Sequence, residues 1–188
     1  MKVSIKFASP KERNVPKKTL FITRLAILLA LTFIFQMAGL PQPITGPVIN
    51  AMLLITGILL GNLAGMVLGC LTPIMALLHG QLPMPLAPMV PFIAIGNVLL
   101  VLVYNYVAQK QTLCLKVFSP FKKMVGVLLA AFAKFLLIYV SIKIFLPILL
   151  NVSIPEKISV LMATPQFITA TAGGIIALIF TQILAKVS

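Results

Sequence analysis

The chain has 188 residues, 61% of them hydrophobic and 9% charged, with a mean hydropathy of +1.15. A soluble domain is excluded, because globular chains are about half apolar and about a quarter charged. The 15 lysines and arginines, set against only Glu12 and Glu156, flank apolar runs as the positive-inside rule expects, so the basic balance does not point to nucleic acid.

Several apolar runs reach the roughly 20 residues that a helix needs to cross hydrocarbon. Strand alternation is absent, and only helices and closed barrels satisfy their backbones in lipid. The chain therefore reads as an all-α integral membrane protein. Residues 1–19 form a basic tail (Lys2, Lys6, Lys11, Arg13, Lys17, Lys18) ahead of a first span at about 20–40. The tail resembles the basic region of a signal peptide. The apolar stretch after it is too long for one, however, and no small-residue cleavage pattern follows, so it reads as a cytoplasmic tail on a retained helix. That helix carries Arg24 at its start, the small pair Ala26 and Ala30, and Gln36 near its far end. Pro41-Gln42-Pro43-Ile44-Thr45-Gly46-Pro47 comes next and reads as a loop too rich in proline to continue a helix.

Apolar sequence resumes at about Gly46 and runs to about Leu78, which fits one long helix or two short ones. Charge decides between them. Lys110, Lys116, Lys122 and Lys123 cluster around 110–123 and share a side with the N-terminal tail only if an even number of spans precedes them. Two helices, about 46–61 and 63–79, joined by a tight turn at Gly61-Asn62, satisfy that count. A second proline-rich outward loop follows, with His79 and Gln81. Span four, at about 90–109, carries Asn97, Tyr104 and Asn105. Span five, about 124–147, carries Lys134, Tyr139 and Lys143. An outward loop at 148–163 contains Asn151, Pro155, Glu156 and Lys157, and span six, about 165–186, carries Gln166. The expected membrane domain, 20–188, thus has six transmembrane helices with both termini cytoplasmic.

Gly57, Gly61, Gly65 and Gly69 recur every four residues, a spacing that lets helix backbones approach closely in lipid; they read as packing of spans two and three. Gln36, Asn50, Asn97 and Gln166 lie on four spans at similar depth near the outer face. One amide in a span glues helices together, but four at one level outline a polar pocket, to which the loop residues Gln42, Thr45, His79 and Gln81 add. Lys134 is the costliest residue of the chain: a lysine at the centre of a span costs about 2.5–3.5 kcal/mol to insert. No span offers a carboxylate to pair with it. A backbone carbonyl, a neutral lysine, a bound anion or a partner protein would each relieve that cost. Tyr139 is a further candidate for the pocket, while Lys143 is placed to snorkel to the outer surface.

Several chemistries lack their residues. Cys70 and Cys114 are too few and too isolated for a disulfide framework or a metal cluster, and His79 has no ligand-spaced neighbours. No phosphate-cradling loop and no paired nucleophile and base occur, so neither an enzyme, a cofactor nor a metal is expected. Absent intramembrane acids argue against a proton-coupled carrier and against a strongly cationic ligand. A non-transporting membrane scaffold or assembly protein is the alternative to a ligand-binding membrane protein.

The size, the six short-looped helices, the basic tail, the first-helix stretch Arg24-Leu25-Ala26-Ile27-Leu28-Leu29-Ala30 and the glycine-rich run Leu59-Leu60-Gly61-Asn62-Leu63-Ala64-Gly65-Met66-Val67-Leu68-Gly69 together resemble the substrate-binding S components of energy-coupling factor (ECF) vitamin transporters. Where many members carry an acidic residue after those glycines, this chain has Thr72-Pro73. The resemblance implies a bacterial plasma-membrane protein that binds a vitamin-like small molecule from outside under a first-loop lid. It implies as partners a membrane coupling subunit and two cytoplasmic ATPases, with Ala26 and Ala30 at the coupling-subunit contact. On charge, the ligand is expected to be anionic or neutral, for example pantothenate-like, lying against Gln36, Gln42, Thr45, Asn50, His79, Gln81, Asn97, Tyr139 and Gln166, with Lys134 balancing a carboxylate.

Overall fold

The computed structural model describes residues 16–82, 84–109, 119–150 and 156–187. Most of the basic tail, Lys110, Lys116, Cys114, Asn151 and Pro155 lie outside that set. The described residues form helices and no strand. The elements are α1 (Lys17–Met37), α2 (Gln42–Leu60), α3 (Asn62–Leu78), a 3-10 turn (Met84–Met89), α4 (Val90–Gln109) and α5 (Ser119–Val140). A π-helical turn (Ser141–Phe145) then leads into α6 (Leu146–Leu150), and α7 (Glu156–Val187) follows. Taking α5, the π turn and α6 as one crossing segment gives six. Five are long and apolar enough to span a membrane, and the shorter apolar α3 has 17 residues, the lower limit for a crossing at 1.5 Å rise per residue.

The membrane environment explains an exterior that would be insoluble in water. Ile22, Ile34, Leu63, Phe121, Ile148 and Ile168 are all at least 60% exposed, and they face outward on four different crossing segments, as lipid requires. Inside, α2, α3, α4, α5 and α7 form a closed ring: α2 packs on α7 and α3, α4 on α3 and α5, and α5 on α7. The helix α1 stands outside the ring against α2 and α3, and only Thr32 and Gln36 along it are buried. The ring closes on an apolar core built around Leu53, Leu54, Leu68, Leu100, Val101 and Val127.

The break between α2 and α3 falls at Gly61. Its φ of +93° is a left-handed conformation that only glycine adopts without strain, and its N–H closes α2 on Gly57 O at 3.1 Å. The glycines flanking this turn bring α2 against α3 as their spacing suggested, a Cβ at Gly65 falling 3.1 Å from Gly57 Cα, and they serve a second neighbour as well. A Cβ at Gly57 or Gly65 would fall within 3 Å of Val101 Cγ1, and one at Gly69 would press on Asn97. They admit α4 as much as they join α2 to α3. Among the glycines, backbone comes closest at Gly173 of α7, where a Cβ would meet Pro47 O at 2.5 Å and Ala51 N at 2.8 Å.

Three boundaries differ from the sequence reading. The stretch 41–47 is not a loop: α2 begins at Gln42 and contains Pro43 and Pro47. Pro43 sits in the first helical turn, where its missing N–H would have had no partner in any case, while Pro47 lies inside the helix and leaves the Pro43 carbonyl without its intrahelical donor. The connection from α1 is therefore only Ala38–Pro41, which leaves little chain for a lid, and Gln42 and Thr45 ride on a helix. The connection between α3 and α4 contains the 3-10 turn Met84–Met89, with Pro88 inside it. Finally, α7 starts at Glu156 rather than at about 165 and carries Pro165 in its interior, so Glu156 and Lys157 are helical.

Candidate functional site

At the end of the ring marked by the α1–α2 connection lies a cavity of about 260 Å³, just below the roughly 300–1,000 Å³ typical of small-molecule pockets. Gln36 of α1, Gln42, Thr45, Gly46, Ile49 and Asn50 of α2, Thr72, Pro73 and Ala76 of α3, Gln81 and Leu82 beyond it, Ile93 and Asn97 of α4, Lys134 of α5 and Gln166 of α7 line it, with Leu40 at the α1–α2 connection. Every transmembrane segment contributes to the wall.

Lys134 lies midway between Ser119 and Leu150 and is 2% exposed. Its Nζ donates to Asn50 Oδ1 and to Asn97 Oδ1, each at 2.7 Å. Hydrogen bonds to charged groups contribute about 1.5–3 kcal/mol each, so two offset the roughly 2.5–3.5 kcal/mol insertion cost. Among the described residues, two asparagine carbonyls thus take the place of a carboxylate. Both asparagines are themselves oriented by backbone. Asn50 Nδ2 donates to Gly46 O at 2.9 Å and to Thr169 Oγ1 at 3.4 Å. Asn97 Nδ2 donates to Gly69 O at 3.1 Å and to Thr72 Oγ1 at 3.2 Å. A backbone carbonyl only accepts, so each amide must turn its nitrogen toward it and its oxygen toward Lys134.

The carbonyl of Gly69 is free to receive Asn97 because of Pro73, four residues on, which has no N–H with which to close that turn of α3. Thr72 Oγ1 donates to the same carbonyl at 3.4 Å. The network continues outward: Gln36 Nε2 donates to Thr72 O at 2.8 Å, and Gln81 Nε2 donates to Gln36 O at 2.6 Å. His79 Nε2 lies 3.2 Å from Met37 O, with the ring nitrogen as donor. The two side chains after α3 thereby cap carbonyls at the C-terminal end of α1, which a helix leaves without intrahelical donors. One chain of hydrogen bonds, from Gln81 through Gln36, Thr72, Asn97, Lys134 and Asn50 to Thr169, touches all six transmembrane segments.

Of the residues singled out from sequence, the structure brings Gln36, Gln42, Thr45, Asn50, Gln81, Asn97, Lys134 and Gln166 to this one cavity. His79 and Tyr139 are not among its lining residues. His79 holds α1, and the Tyr139 ring stacks on Phe135 at a centroid distance of 6.0 Å. Lys143 Nζ lies 5.7 Å from the centre of that same tyrosine ring. Thr72 and Thr169 were not picked out as site residues. The signal for Thr72 is the helical proline after it, which frees a carbonyl; Thr169 has no comparable signal. Ala26 and Ala30 lie exposed on α1.

Among the described residues no group of three or more His, Cys, Asp or Glu could hold a metal ion. What the arrangement offers is recognition: a buried cation, oriented amides, and apolar walls from Ile49, Ala76 and Ile93. Neither a curated protein nor a solved structure matches the chain. A family model described as ECF transporter, substrate-specific component, matches residues 20–185, which takes in all six crossing segments and every residue of the cavity. The chain is a multi-pass membrane protein that belongs to the substrate-specific components of ECF transporters.

Proposed function

We propose that the protein captures a vitamin or related micronutrient, anionic or neutral and for example pantothenate-like, from the outer face of a bacterial plasma membrane. It then delivers the ligand inward by docking on a membrane coupling subunit driven by two cytoplasmic ATPases. The observation that carries this reading is the cavity with its continuous hydrogen-bonded wall. A bundle acting only as a scaffold would fill that space with side chains, as its other half does.

Orientation follows from charge. Lys17, Lys18, Lys122, Lys123 and Lys186 sit at the end of the bundle away from the cavity, and basic residues concentrate on the cytoplasmic side. The cavity then opens outward. The placement of α1 supports docking through Ala26 and Ala30. This helix stands outside the ring, and its small residues, lying in the half nearer the cytoplasm, are exposed, so another helix can approach its backbone closely there.

Uptake measured in cells that supply the coupling subunit and ATPases, together with mass spectrometry of small molecules bound to the purified protein, tests both halves. The double variant Ala26→Trp, Ala30→Trp is expected to abolish uptake while the purified protein still holds its ligand. Unchanged uptake in that variant overturns the docking assignment. Wild-type protein that retains no small molecule overturns capture.

A further inference from the structure

Two groups at the cavity have hydrogen-bonding capacity that the protein does not use, and together they describe a ligand. The first is Lys134. An ammonium carries three N–H donors, and Asn50 and Asn97 accept two of them; among the described residues no third acceptor reaches Nζ. No carboxylate lies among the described side chains of any span, so among the described residues the lysine has dipoles around it but no counter-charge. The second is Gln36, 3% exposed. Its Nε2 is committed to Thr72 O, which fixes the rotamer of the amide, and its Oε1 is buried with no donor. An unpaired buried acceptor is costly and rare. Both residues line the same cavity, and Thr72 and Asn97 bridge them along the hydrogen-bonded wall. The apolar Ala76 and Ile93 line the same cavity.

We infer that the ligand is a small monocarboxylate that also carries a hydroxyl or amide N–H. Its carboxylate accepts the spare N–H of Lys134 and neutralises that residue, and its hydroxyl or amide donates to Gln36 Oε1. A cation is rejected by the uncompensated lysine. A neutral analogue forfeits the charge-assisted bond, the stronger of the two. The inference rests on the capture reading above and narrows it from any anionic or neutral micronutrient to one class.

The test uses full-length protein in nanodiscs, equilibrated with a small-molecule extract of bacterial cells. The extract is supplemented with matched probes: pantothenate as a hydroxy- and amide-bearing acid, panthenol as the same molecule without its carboxylate, and thiamin as a cation. Retained compounds are identified by mass spectrometry after washing. Retention of a monocarboxylate with a hydroxyl or amide N–H is the expected result, with its alcohol or carboxamide analogue held at least 10-fold more weakly. In Lys134→Met that acid is expected to bind at least 10-fold more weakly, and in Gln36→Leu about 5-fold more weakly. The analogue comparison on wild-type protein needs no variant to fold. Retention of a cation, or equal retention of acid and analogue, overturns this inference and leaves capture standing. Retention of nothing by wild-type protein overturns capture itself.

Discussion

The same helices build two unlike halves. Toward the cavity, α2 presents Thr45, Gly46 and Asn50, α4 presents Asn97, and α5 presents Lys134. One or two turns further along, those helices present Leu53 and Leu54, Leu100 and Val101, and Ala130, Ala131 and Val127, all buried in one apolar core. Residues in both halves are sealed: Lys134 is 2% exposed and Leu100 is 0% exposed. Burial therefore does not separate site from scaffold. The difference lies in what the buried groups ask of their neighbours. The solid half asks mostly for contact, its buried Asn105 donating to Gly57 O at 3.2 Å, and although Thr56 Oγ1 is buried there without a partner, Thr56 does not line the cavity. In the hollow half, Lys134 and Gln36 have donor and acceptor capacity that the protein leaves unused.

The largest effect is expected at the seam that both halves share. Gly173→Val places a Cβ against the backbone of α2 at Pro47 and Ala51, which cannot yield as a flexible side chain would. Overpacking of this kind costs about 3 kcal/mol. The variant is expected to lower the unfolding midpoint sharply and to lose ligand retention with it; a native midpoint would show that α2 and α7 are not held this close.

A smaller effect is expected from Leu100→Ala in the solid half. In lipid little hydrophobic transfer is at stake, so the cost is the lost contact around a cavity, about 2 kcal/mol. Folded variant is expected to retain ligand as wild type does. If retention falls as steeply as in a cavity variant, the two halves are not separable in function.

The smallest stability effect is expected at the mouth. Gln81→Ala removes one hydrogen bond, to Gln36 O, worth about 1 kcal/mol. Because Gln81 ties the end of α3 to the end of α1 beside the cavity, bound ligand is expected to wash out several-fold faster from this variant. An unchanged release rate would assign Gln81 to helix capping alone.

Much of this architecture is legible along the chain. Span lengths and the parity of the lysine clusters distinguish two helices from one between 46 and 79, because lipid tolerates neither a broken backbone nor charge on the wrong side. The amides Gln36, Asn50, Asn97 and Gln166 stand out because polar groups are rare in such segments. The helical start at Gln42 was hidden because proline ends a helix from within yet fits its first turn, and composition alone does not tell these positions apart. Tyr139 was a candidate for the pocket, but the structure stacks its ring on Phe135 and leaves it out of the cavity lining.

The sequence by itself indicated that this chain lives in a membrane as six apolar helical segments and carries a mid-span lysine with no acid in the expected spans. Composition and charge suffice for that, since the bilayer acts on every residue alike. Only the tertiary structure decided that Lys134 is held by Asn50 and Asn97, residues 84 and 37 positions away. It also decided that Pro73 frees the carbonyl that aims Asn97, and that α1 stands outside the ring. These arrangements depend on which helices touch, and ring closure sets that through glycines whose partners no local pattern names.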